Sequence, residues 1–211
     1  MKTTLLEQAW YEREETIYKD IFGESENHIY PLSFEIFRIS FGLEEIDPRW
    51  LNYGVIKYPP TSKRKTWAYV SSGMSNPWET DNVQEYSGLG IEFILESNTD
   101  DDWGILAVQN VMAFNILLSA GRYGEKPPLD YGHRVPFSII PNLSHIVLAQ
   151  PIHFPSHFNL VSGKVDLLQL VGITQDEFQY AKDHSSQLLI DRLTLTPKSF
   201  IVNPLRSSLF Q

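Results

Sequence analysis

The chain has 211 residues, no cysteine, and a formal net charge of −9 from 17 Lys and Arg against 26 Asp and Glu. These values exclude disulfides, thiolate zinc sites and a cysteine nucleophile, and the negative charge disfavours nucleic acid and anionic membrane surfaces as partners. Hydrophobic residues make up 42% and aromatics 13%, enough apolar area for one folded domain over residues 1–211.

The spacing of Leu5, Leu6, Ala9, Trp10, Arg13, Ile17 and Ile21 predicts an amphipathic helix over about residues 4–22, with Thr4 and Glu7 as a capping box and Gly23 as its stop. "SFEIFRISF" (33–41) alternates apolar residues on two faces and predicts a strand. Residues 53–58 and 66–72 predict a hairpin, interrupted by Pro59-Pro60 and by Lys63-Arg64-Lys65, which reads as a solvated loop. A strand is expected over 90–96 and a helix from about Trp103 to Ser119, with Asp100 to Asp102 suiting its N-terminal dipole. Residues 121–131 read as loop, "HIVLAQ" (145–150) and "DLLQLVGI" (166–173) as central strands. Thr174 and Glu177 form a second capping box for a helix to about Asp183, residues 186–193 read as another helix, and "SFIVN" (199–203) as a last strand. This order predicts an α+β, or mixed α/β, fold: a mixed, largely antiparallel central sheet flanked by helices in a single domain.

Few residues of the chain stand out as chemical groups. Gly88-Leu89-Gly90 has two glycines of a dinucleotide fingerprint, but Phe93 stands at the third glycine position and a strand follows, so a tight turn at a sheet bend is expected rather than a phosphate site. His153 and His157, with His145 or Asp166, give a metal-dependent hydrolase as an alternative, weakened by Pro151 and Pro155, which oppose a helix there. Glu44-Glu45 and Asp100 to Asp102 read as exposed loop charge. Trp67 and Tyr69 read as one core face of a strand, whereas Trp78, after Asn76-Pro77, is a candidate anchor for a partner. No cofactor and no metal are expected. Glu7 falls where a signal peptide needs its apolar core, and no apolar run reaches the roughly 18 residues of a membrane span, so a cytoplasmic chain is expected.

The blocks "WAYVSSGMS" (67–75), "SGLGIEFILE" (87–96), Trp103 with its helix, and "LLQLVGITQDEFQYAKDHSSQLLIDRL" (167–193) together resemble the Suppressor of fused family, over about residues 32–211. The resemblance implies a non-enzymatic protein-binding domain in which the glycine segment is scaffold. In animal members a second lobe helps clamp an extended peptide of a Gli-type transcription factor. Carried over by position, the peptide-contacting tyrosine falls on Phe114, a nearby aromatic on Leu129 and the ligand-pairing aspartate on His133, so a Gli-type ligand is not expected. The loop from Gly121 to Pro136 and the helix before it are the expected interface, with Phe114, Leu129, Tyr131 and His133 as candidate contacts and Trp78 as a further candidate partner-binding residue. Single-domain bacterial members resemble immunity proteins encoded beside toxins, and an acidic chain suits a basic toxin domain as partner. A general peptide adaptor working by strand addition is the alternative.

Overall fold

A computed structural model describes residues 3–26, 28–140 and 142–210. The first helical run begins as α1 (Leu5–Tyr11), where the Thr4 hydroxyl accepts the Glu7 N–H and the Glu7 carboxylate accepts the Thr4 N–H at 2.8 Å. It continues through a π-helical stretch, Glu12–Ile17, into α2 (Tyr18–Phe22) and stops at Gly23, whose φ of 91° suits glycine.

A short strand, β1 (Ile29–Pro31), then leads into α3 (Phe34–Phe41). The expected strand over residues 33–41 is therefore an α-helix. Phe34, Phe37 and Phe41 fit helical spacing as well as strand alternation, and the ends decide the matter. Ser33 stands at the N-cap, and Gly42 with φ 67° closes the C-terminus, the Leu43 N–H reaching back to the Phe37 carbonyl.

β2 (Gly54–Tyr58) and β3 (Trp67–Ser72) form the expected antiparallel hairpin, and β4 (Tyr86–Ser97) continues the meander. α4 (Asp102–Ser119) follows, then the loop through residue 131, the short strand β5 (Arg134–Pro136) and β6 (His145–Ala149). His157 lies in β7 (His157–Leu160), a strand the sequence did not suggest, and β8 (Gly163–Ile173) completes the sheet. α5 (Gln175–Asp183), with its Thr174–Glu177 capping box, and α6 (Ser186–Thr194) stand where expected. "SFIVN" is not a strand: a 3-10 turn, Pro197–Phe200, is followed by one bridge from Val202 to Ser97.

Among the described residues the strands form one mixed sheet in the order β1-β2-β3-β4-β8-β6-β5, with β7 also on β8. Every pairing is antiparallel except β4 with β8, which run parallel at the centre. The expected mixed, largely antiparallel sheet with flanking helices is what the chain forms.

Both faces of the sheet are covered, which is why its central strands are apolar on both sides. Tyr69, Phe93, Leu95, Leu148, Leu168 and Leu170 point to the face that receives α4. Ile56, Tyr58, Ala68, Val70 and Ile94 point to the other, where Ala9, Tyr18 and Phe22 of the N-terminal helical run cover them. Beside this second cluster, α5 and α6 pack Ala181, Leu189 and Leu193 on Val147 and Val171. α4 approaches the sheet so closely that a Cβ on Gly104 would lie 2.6 Å from the Tyr69 ring.

Candidate functional site

α4, the C-terminal end of α3, the loop after α4 and β5 enclose an open cleft of about 660 Å³. Its floor is aromatic. Phe41 stacks on Phe114 with ring centroids 6.4 Å apart, and Tyr123 leans on Phe114 at 5.4 Å. Val135, Pro136 and Phe137 of the β5 region form the opposite wall. Phe41 and Phe114 are half-buried and Tyr123 is exposed, so the rings present surface that a partner could cover.

Of the residues nominated from the sequence, Phe114 alone lies in this cleft. Leu129 is buried in the main core, and its N–H donates to the Asn115 side-chain oxygen at 2.8 Å. Tyr131 ties the loop down, its hydroxyl donating to the Leu167 carbonyl at 3.0 Å. Burial of that phenol pushes its pKa up to about 12. His133 shapes the turn before β5: its Nδ1 accepts the Asp130 N–H at 3.1 Å, and its carbonyl accepts the Leu148 N–H. Tyr123, Val135 and Pro136 belong to the loop expected to form the interface, although none stands out singly in the sequence. Phe41 lies outside that expectation, in the segment whose alternation suggests a strand.

Trp78 lies elsewhere. It is half-buried and lines a separate cleft with Trp10, Leu51 and Tyr53, which shares no residue with the Phe114 cleft. Its Nε1 is shut off from solvent.

The three histidines of the hydrolase alternative have separate partners. His145 stacks on Phe178 at 3.6 Å, and burial with the nearby Arg134 charge lowers its pKa. His153 Nδ1 meets Glu96 Oε2 at 2.9 Å, while His157 Nδ1 lies 3.3 Å from the Ser156 hydroxyl. Among the described residues no three His, Cys, Asp or Glu side chains are placed to hold a metal ion.

The glycine segment is scaffold in geometry too. Gly88 and Gly90 have φ of 56° and 74°, and the β4–β8 register shifts between Tyr86 and Ile91. A Cβ on Gly88 would lie 2.5 Å from the Asn76 carbonyl oxygen. The bulge thus lets β4 pass against residues 74–76 while Leu89 donates to the Met74 carbonyl.

Behind that bulge lies a buried polar seam. Glu92 is fully buried and accepts from the Ser71 and Ser75 hydroxyls and from the N–H groups of Gly73 and Ser75. Arg13, only 1% exposed, enters from the π-helical stretch and donates to Ser72, Ser75 and Asn76 while pairing with Glu14 at 3.2 Å. Ser75 links the two charges, so this seam holds charge in place and offers no open position for a reacting molecule.

The family model described as Suppressor of fused protein (SUFU) matches residues 49–207. The chain belongs to the Suppressor of fused family. Suppressor of fused proteins are protein-binding regulators. No curated protein matches the chain. Among solved structures, a Suppressor of fused homolog from Neisseria gonorrhoeae is similar at 16% identity and a TM-score of 0.64, over 94% of this chain and 96% of that one. A chain of the Sufu–Fu complex gives 18% identity and a TM-score of 0.58, over 75% of this chain and 77% of that one. Drosophila Suppressor of fused gives 19% and 0.57, over 75% of this chain but 42% of that one. At these identities the likeness is one of fold, and the N-terminal helical run lies outside the family match.

Proposed function

We propose that this Suppressor of fused domain is a non-enzymatic binding protein that holds a folded protein partner at the Phe41–Phe114–Tyr123 cleft, and that the partner is a basic toxin which it neutralises by occlusion. The observation that carries the reading is the row of three partly exposed aromatic rings beside β5. Such anchors supply much of the energy of protein interfaces, and the net charge of −9 would speed encounter with a basic partner.

The second reading, an adaptor that captures extended peptides by strand addition, is less well supported by the sheet. Of its three edge strands, β1 and β5 are three residues long and end in proline, and β7 has only four residues, which makes all three short templates. Side-chain docking in the cleft needs no such template.

The test is co-expression with the protein encoded next to this chain, assayed for toxicity on its own, followed by size-exclusion chromatography. Rescue of growth with a stable complex is expected, and Phe114→Ala should weaken that complex by about 2 kcal/mol, roughly thirtyfold in Kd. Continued killing with no complex overturns the toxin role. Recovery of short extended peptides instead of a folded protein favours the adaptor.

A further inference from the structure

A second cavity, of about 600 Å³, opens on the opposite face of the sheet between the end of α2, the Thr61–Thr66 loop joining β2 to β3, the end of β4, and His153–Phe154. That volume falls within the range of small-molecule sites. Its charge runs against that of the chain. Four of the 17 Lys and Arg line it, against two of the 26 Asp and Glu. The Lys63-Arg64-Lys65 run, which alone reads as a solvated loop, here forms one wall.

The cations have different tasks. Arg64 donates to the carbonyls of Phe22 at 3.0 Å, Pro59 at 2.9 Å and Thr66, so its guanidinium fixes the loop. Lys19 is paired with Glu15 at 2.8 Å. Lys63 and Lys65 are exposed, and among the described residues neither forms an ion pair. Their ammonium groups are left for a ligand.

His153 supplies the third donor. Glu96, 2% exposed, takes the Thr66 hydroxyl on one oxygen and meets His153 Nδ1 at 2.9 Å with the other. The Glu96 carboxylate can only accept, so Nδ1 carries a proton and fixes the ring, and Nε2 donates to a ligand as N–H in the imidazolium form. Phe154, packed on Phe22 at 5.3 Å, adds an apolar wall. We propose that this cavity binds the phosphate group of a small molecule, with Lys63, Lys65 and the Glu96-oriented His153 as its donors. Two unpaired ammonium groups and an oriented imidazolium suit a compact dianion, and Phe154 offers a surface to whatever the phosphate is attached to.

The proposal is independent of the partner cleft, because the two cavities share no lining residue. The test is an NMR titration of the 15N-labelled full chain at low ionic strength, with inorganic phosphate and with 5′-AMP as separate probes. Saturable shifts confined to the Thr61–Thr66 loop and His153–Phe154 are expected. Equal affinity for the two probes would support recognition of phosphate alone, and tighter binding of AMP a contact between its body and the Phe154 wall. The Lys63→Ala/Lys65→Ala double variant and His153→Gln should each weaken binding roughly tenfold or more, the loss expected for a charge-assisted bond. Both variants alter exposed side chains, and an unchanged spectrum away from the cavity verifies their fold. No saturable shift with either probe, or equal affinity in wild type and variants, overturns the site.

Discussion

Arg13 occupies a position in the N-terminal helix that the apolar spacing had already assigned to the buried face, and it is buried there as a charge with three neutral acceptors. That much was legible: a lone arginine on an apolar stripe needs buried acceptors. Its partners were not, because Ser72, Ser75 and Asn76 lie about 60 positions away and only the fold brings them near. Glu92 was harder still, since in alternation with Phe93 it looks like the solvated side of a strand. Glu92→Ala would leave four donors without their acceptor and should cost about 3 kcal/mol in urea denaturation, against about 1 kcal/mol for Ser71→Ala. Buried phenols give a pH dependence. Burial pushes both Tyr53 and Tyr131 up to about 12, so between the ordinary phenol value near 10 and 12 the unfolded chain loses protons that the folded chain keeps. Stability is therefore full below about pH 10 and falls as pH rises through that window. Tyr131→Phe should flatten the fall in alkaline denaturation curves, at a neutral-pH cost of about 1 kcal/mol for its lost hydrogen bond.

α3 shows where periodicity misleads. Five apolar residues in eight fit either secondary structure, Ile39 ends 73% exposed, and only Phe37 is fully buried. The Ser33 cap and Gly42 stop carried the better signal. α1 and α5 were legible because their capping boxes are local chemistry, complete within four residues. β7 and the 3-10 turn near the C-terminus were not, since both depend on distant neighbours, β8 for the one and Ser97 for the other. The C-terminal segment is held mainly by Arg206, which reaches both oxygens of the fully buried Glu177, at 2.7 and 2.5 Å, and the Gly172 carbonyl at 2.8 Å. Arg206→Ala would leave that carboxylate buried without its cation and should cost about 3–5 kcal/mol, measurable by thermal denaturation. The partner cleft was half legible. Phe114 came through the family resemblance, whereas Phe41 and Tyr123 reach it only once α3 and the loop after α4 are folded.

The outer strands of the sheet, β1, β5 and β7, are only three or four residues long, so each offers a short row of backbone groups for chance pairing with a second copy. Among the described residues, no helix is long and apolar enough to cross a membrane. The N-terminal helical run, although outside the family match, covers Ile56, Tyr58 and Ile94 and brings Arg13 to its seam. A fragment limited to residues 49–207 should therefore expose an apolar face and aggregate, whereas the full chain elutes as a well-defined species in size-exclusion chromatography. Fold class followed from the order of segments, but the strand order did not, because nothing local tells β4 to choose β8.

That choice has a consequence for assembly. β4 and β8 are partners separated by some seventy residues, with Tyr86 opposite Lys164 and Ile94 opposite Gln169. The meander β1 to β4 is synthesised before β8, so the nascent chain carries β4 with one side unpaired until β8 arrives. Because that long loop must close before its contacts reward it, the central seam is expected to form late, as the last phase of refolding in a stopped-flow measurement.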